Sequence, residues 1–208
     1  LKPDLKNRSR SELQKIQFVF QMADTALNPR QRIDQILGRP LEFYLELRGG
    51  EKRKRIAELL EMVELPQDFA GRYPDELSGG QKQRINLARA LAASPEILLC
   101  DEVISALDTI VGANIIELLK QLRKNTGVSF VFISHDLSTV ASFADYIVVL
   151  YAGKVVDQGT VDEVLSPPYH PYTRLLISSV PELRVGWLEE SVDEIEELSL
   201  KRDQGFIN

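Results

Sequence analysis

Apolar and polar positions follow two rhythms along this chain. Lys15–Gln21 ("KIQFVFQ") is a short apolar run ending on a glutamine and reads as a strand. Asp24–Arg30 ("DTALNPR") is turn chemistry, because Asp, Thr, Asn and Pro favour local backbone bonds and a fixed φ. From Arg32 to Glu64 the pattern is helical, with Ile56, Leu59, Leu60 and Val63 at three-to-four spacing and charges between them. Pro66 and the stretch "GRYPDELSGG" break that run. Gln81–Ala93 reads as a second amphipathic helix, with Ile85, Ala88, Leu91 and Ala92 on one side.

Beyond residue 93 the rhythm alternates strand and helix. Ile97–Cys100 is a short buried strand, and Gly112–Lys124 is a helix that turns Ile115, Ile116, Leu119 and Leu122 inward. Val128–Ser134 ("VSFVFIS") is nearly continuously apolar, as expected of a strand covered on both faces. Leu137–Phe143 reads as a short helix, Tyr146–Tyr151 as a strand, and "GKVVDQG" (Gly153–Gly159) as the return arm of a hairpin. This alternation predicts an α/β fold with a mainly parallel sheet flanked by helices. The helical stretch before Leu77 does not fit the alternation and reads as an inserted helical lobe. After Ser166 the chain becomes proline-rich ("SPPYHPYTRLL") and then helical. The acidic run Glu189–Glu197 reads as a solvated helix or a loose tail.

Composition narrows the function classes. With 208 residues, 44% of them hydrophobic and 27% charged, the chain suits one domain or a core with a lobe. A net charge of -6 is not the basic footprint of a nucleic-acid binder. No apolar run approaches the roughly 20 residues that span a bilayer. The opening "LKPDLKNRSRSELQK" is too charged for a signal peptide. The single cysteine, Cys100, cannot form an internal disulfide and reads as a small buried filler.

Four places carry candidate chemistry. In "LSGGQ" (Leu77–Gln81), Ser78 can cap the following helix, and Gly79 and Gly80 let a ligand approach the backbone. A helix N-terminus also attracts anions, phosphate above all. Asp101 and Glu102 end a strand, where α/β sheets bind ligands. Asp101 can hold Mg²⁺, which takes oxygen ligands, and Glu102 can accept a proton from an attacking water. His135 ends what reads as a neighbouring strand and can donate to a phosphate or orient the water. Gln21 ends a third strand, and its amide can meet a metal or water. A plain helix cap, an acidic pair ending a strand and a structural histidine are the bland alternatives. His170, between Pro168 and Pro171, stays in a loop.

In order, the chain carries Gln21, "LSGGQ", "ILLCDE" (Ile97–Glu102), "SALD" (Ser105–Asp108) and "SHD" (Ser134–Asp136). That series closely resembles the nucleotide-binding subunit of an ABC transporter, over roughly Ile16 to Gly159. The resemblance implies a P-loop NTPase-like fold, with ATP and Mg²⁺ as cofactors. It makes Gln21 the Q-loop glutamine, which touches Mg²⁺ and couples to membrane subunits. Ser78, Gly79, Gly80 and Gln81 become the signature loop that binds nucleotide. Asp101 becomes the metal-site acid, Glu102 the general base, Asp108 the D-loop aspartate and His135 the switch histidine. "ALNPR" (Ala26–Arg30) and "SPPYHPYTRLLISSVPEL" (Ser166–Leu183) further resemble the ATPases of peptide, dipeptide and nickel importers. The implied layout is a core remnant at 1–24, a helical lobe with the signature loop at 25–93, ATPase core at 94–165 and a C-terminal extension at 166–208.

Three departures qualify the resemblance. No G-x-x-x-x-G-K-[ST] loop occurs, and the Gly153–Lys154 pair is followed by Val155. In the family that loop lies upstream of the glutamine, so the sequence is expected to be N-terminally truncated. The piece alone is then incomplete for ATP binding and inactive. "DEVISALD" carries Val103 and Ile104 where the family has a proline and a threonine. One cysteine excludes the intrachain four-Cys iron–sulfur cluster of many peptide-importer ATPases.

The expectation is an ATPase domain that powers import of peptides or related small solutes. Its partners would be a second nucleotide-binding domain (identical, paralogous or fused), transmembrane permease subunits and, indirectly, a solute-binding protein, with no nucleic acid. It would sit peripherally on the cytoplasmic face of the inner membrane. Two alternatives stay open: a degenerate half that only donates its signature loop, and a non-transport ABC ATPase. The second would bring coiled-coil insertions or basic patches, which the sequence lacks.

Overall fold

The computed structural model describes residues 5–178. The acidic run Glu189–Glu197 and the end of the proline-rich motif lie outside the described residues. The chain divides into two units, Leu1–Ile133 and Ser134–Asn208.

The first unit is built on a three-stranded parallel sheet in the order β1 (Ile16–Val19), β2 (Ile97–Asp101), β3 (Ser129–Ile133). The registers Phe18↔Leu99 and Leu99↔Val131 align the carboxyl ends of all three strands. β2 is central, with Leu98 and Cys100 fully buried. Helix α1 (Arg10–Lys15), held by a Ser9–Glu12 capping box, leads into β1. After β1 come one helical turn, α2 (Ala23–Ala26), then α3 (Ile33–Leu45), α4 (Gly49–Met62), two 3₁₀ turns and α5 (Gly79–Leu91). α6 (Thr109–Thr126) joins β2 to β3 as a parallel crossover. The apolar stripes read from periodicity form the core. Leu59, Leu60, Val63, Ile85, Ala88, Ala92, Ile115 and Leu119 have no exposed surface. Burying each Leu or Ile in that set contributes about 1.5–3 kcal/mol.

Four element readings change. The helical run Arg32–Glu64 is two helices, because Glu46 turns left-handed at φ 58° and α4 restarts at Gly49. α5 begins at Gly79 rather than Gln81, since Ser78 is the cap and Gln81 the third helical residue. α6 likewise begins at Thr109, immediately after its cap Asp108, and closes on Gly127 at φ 68°. β3 is not covered on both faces: Val131 and Ile133 are 47% and 49% exposed, while Phe130 and Phe132 are half-buried. A continuous apolar run cannot distinguish a central strand from this one, which pairs only with β2 among the described residues.

In the second unit, α7 (Leu137–Phe143) precedes an antiparallel hairpin of β4 (Tyr146–Tyr151) and β5 (Lys154–Thr160). Its turn, Ala152–Gly153, has both φ values positive (49° and 79°), the geometry that matches strand twist and favours glycine. α8 (Val161–Val164) and α9 (Pro171–Ser178) follow. Ile147, Val149 and Val164 form the core, packed by Leu137, Val140, Val156 and Leu176. Thr173, fully buried on α9, donates to Asp157 Oδ2 of β5 at 2.6 Å, and the Tyr151 and Tyr172 rings meet at 4.4 Å. His170 is a cap: its Nδ1 accepts from Tyr172 N at 3.2 Å as α9 starts. No helix among the described residues is long and apolar enough to cross a membrane.

Candidate functional site

The carboxyl end of β2 carries the site. Asp101 is the last residue of the strand, paired in register with Ile133. Glu102 follows at φ 46°, left-handed, with its N–H donating to Ile133 O at 3.0 Å. That turn swings the carboxylate away from the strand direction and onto the segment after β1. There Gln21 Nε2 donates to Glu102 Oε2 at 2.7 Å and to Ser105 Oγ at 3.3 Å. Ser105 Oγ donates in turn to Glu102 O at 3.0 Å, and Ser105 N donates to the same carbonyl at 3.1 Å. Gln21 and Glu102, 81 positions apart, are thus in direct contact. Val103 is 1% exposed, so the residue standing where the family has proline is a core residue here.

Ser78 and Gln81 form a capping box at the head of α5: Ser78 N donates to Gln81 Oε1 at 2.9 Å and Gln81 N to Ser78 Oγ at 3.4 Å. Ser78 and Gly79 are exposed. Gly80 is placed otherwise: a β-carbon there would lie 2.6 Å from Val111 Cγ1. Its missing side chain is thus filled by α6 of the same chain, whatever ligand approaches the loop. Asp108 caps α6, with Oδ1 accepting from Val111 N at 3.0 Å. His135 belongs to the second unit and is exposed. Beside it, Asp136 caps α7. Burial pushes the Asp136 carboxyl pKa up, but hydrogen bonds from the hydroxyls and N–H groups of Ser138 and Thr139 outweigh this and hold it below the usual carboxylate range. Cys100 is buried, and burial pushes its thiol up to about 12, which fits a filler and not a nucleophile.

Sequence reasoning missed a polar stripe on α5. Lys82, Asn86 and Arg89 are spaced four and three apart and share one helix face. Lys82 pairs with Asp24. Asn86 Nδ2 donates to Phe20 O at 2.8 Å. Arg89 donates to Ala26 O and, through Nη2, to Asn86 Oδ1 at 3.0 Å. Burial lowers the Arg89 pKa, yet a guanidinium stays charged at neutral pH. The legible signal was a polar series at helical spacing beside the apolar stripe of an otherwise buried helix. Ser105 stood inside the quoted "SALD", but nothing in its spacing announced the contact with Gln21.

The model of the family described as "ABC transporter" matches residues 2–105, and that described as "Oligopeptide/dipeptide transporter, C-terminal region" matches residues 156–205. The oligopeptide transport ATP-binding protein OppF of Escherichia coli is 43% identical over 182 residues, covering 87% of this chain and 54% of its own length. The dipeptide transport ATP-binding protein DppF of Haemophilus influenzae is 42% identical over 178 residues, covering 86% and 54%. The chain therefore spans about half the length of the curated relatives it matches. The solved dimer of the ATP-binding cassette MJ0796, in a post-hydrolysis state with ADP and Pi, superposes with a TM-score of 0.65. It is 38% identical and covers 76% of this chain and 68% of that one.

Proposed function

This chain belongs to the ABC transporter family, and we propose that within its full-length protein it forms part of an ATPase powering import of peptides or related small solutes. The observation that carries the reading is the Gln21–Glu102 hydrogen bond of 2.7 Å at the carboxyl end of a parallel strand. It joins a metal-sensing amide to the carboxylate best placed to act as base.

The donor set fits Mg²⁺. Gln21 commits its amide nitrogen to Glu102, which directs its oxygen elsewhere, and Asp101 adds a carboxylate at the strand end. Both are hard oxygen ligands, and Mg²⁺ keeps several waters, so it needs no dedicated cage. When bound, Mg²⁺ supplies charge neutralisation at the phosphates. Glu102 accepts the proton of the water that attacks the γ-phosphorus. A carboxylate has about four acceptor sites, so the Gln21 bond does not bar that water. The exposed Ser78 and Gly79, at the head of the 13-residue α5, receive the phosphates of a nucleotide held by a second domain.

The substrate class rests on the match of residues 156–205 to the peptide-transporter C-terminal region. The partners are a second nucleotide-binding domain and permease subunits, with this domain peripheral on the cytoplasmic face of the membrane. The division into core remnant, lobe, core and extension is part of the same proposal. The test is Mg-ATP turnover by the full-length protein with and without Glu102→Gln. Loss of about 10²-fold or more supports the reading. Turnover indifferent to the substitution makes this half a signature-loop donor only.

A further inference from the structure

We infer that Asn86 is a positioning residue for this hydrolysis: it fixes the backbone before Gln21 and, through Gln21, the Glu102 carboxylate. The inference rests on the reading of Glu102 as the base. Asn86 is fully buried in α5, where an amide is costly unless its donors and acceptor are used. Its donor goes to Phe20 O at 2.8 Å, one peptide before Gln21. Its acceptor is taken by Arg89, which also donates to Ala26 O and lies over the Phe20 ring at 5.4 Å. β1 ends at Val19, so the Phe20 carbonyl stands outside the sheet ladder. Asn86 holds it instead. From the Asn86 amide to the Glu102 carboxylate there are only two hydrogen bonds, at 2.8 and 2.7 Å, joined by one residue step. Lys82 pins the far side of the same segment through Asp24. The face of α5 one turn beyond the signature loop is thereby wired to the base, so a shift of that helix is felt at Glu102.

The test uses the full-length transporter. Asn86→Asp is isosteric, keeps the acceptor for Arg89 and removes the donor to Phe20. It is expected to lower kcat about tenfold while KM for ATP changes less than about twofold, since the loss falls on the base and not on uniform binding. In a Gln21→Ala background the same substitution is expected to add nothing, because its route is already cut. Effects that multiply independently, or a change confined to KM, overturn the inference. Should Asn86→Asp fail to fold, Lys82→Met carries the test: a twofold to threefold fall in kcat, again absent in Gln21→Ala, supports it, and unchanged kcat overturns it. If Glu102→Gln leaves turnover intact, the reading of the base falls and this inference with it. If Glu102→Gln abolishes turnover while the Asn86 and Gln21 effects multiply, only the inference falls.

Discussion

Gly80 and Val111 interlock: a β-carbon on Gly80 would come within 2.6 Å of Val111 Cγ1, a distance real β-carbons do not show. Val111 is β-branched and stiff at χ1, so it cannot swing away cheaply. Gly80→Ala gains about 1 kcal/mol of helix propensity but meets an overpacking cost of about 1–3 kcal/mol, and the clash is expected to win. The melting temperature should fall by a few degrees and recover in Gly80→Ala/Val111→Ala. Gly79→Ala is the control, because its nearest neighbour is Leu107 Cδ2 at 3.7 Å, an ordinary contact. Its stability should be unchanged or slightly raised. A Gly80→Ala protein as stable as the parent would show that the two helices do not meet here.

Thr173 and Asp157 tie α9 to the hairpin. Thr173→Val keeps the shape but removes the donor, leaving the carboxylate oxygen without that partner. The expected loss is about 1–2 kcal/mol. Against Asp157→Asn, a double-mutant cycle should return a coupling energy of about 1 kcal/mol. Additive effects would mean that the bond is not made in solution.

Asp136 gives a pH signature. Its folded pKa is depressed by the hydroxyls and N–H groups of Ser138 and Thr139, against the upward push of burial. Its stabilisation is therefore complete above the unfolded carboxylate value of about 4 and is lost as pH falls through the lower folded value. Asp136→Ala should cost about 1 kcal/mol at pH 7, the worth of a helix cap, and the deficit should shrink as pH drops below about 4. Denaturant melts at pH 7 and pH 3 measure it, and a deficit independent of pH would remove the carboxylate from the cap.

Cys100 should be silent toward thiol reagents in the native state. With its pKa pushed to about 12, the thiolate fraction at pH 8 is about 10³-fold smaller than for a free thiol near 8.5. Burial adds steric protection. An Ellman titration of the native chain should show almost no rapid reaction at Cys100, and one thiol from it after denaturation. Fast native labelling would mean that β2 opens readily.

Much of this architecture was legible because periodicity reports burial. The stripes at Ile56–Val63, Ile85–Ala92 and Ile115–Leu122 are core, and the hairpin Tyr146–Thr160 follows its turn chemistry. Two helix starts differ by two or three residues: Ser78 caps α5 directly at Gly79, and Asp108, read only as the D-loop aspartate, is itself the cap of α6. β3 was misread because hydrophobicity alone does not say how many neighbours a strand has. The contact of Gln21 with Glu102 could be anticipated only as two residues of one site, a metal-sensing amide and a general base, since hydrogen bonds across 81 positions leave no local trace. The α5 stripe went unread for the opposite reason. Its three residues look like an ordinary solvated helix face, and only the fold turns them toward residues 20–26.

The left-handed backbone of Glu102 has an evolutionary consequence. A non-glycine residue at φ 46° gives up about 1–2 kcal/mol that glycine would largely recover. Position 102 is therefore a point where the sturdiest sequence and the working one diverge. A lineage released from the need to hydrolyse would find Glu102→Gly among the mildest of exits: the fold would be kept or firmed, and the reaction would be gone in a single step. An alignment of such released copies should show glycine or asparagine at this position well before the surrounding core decays.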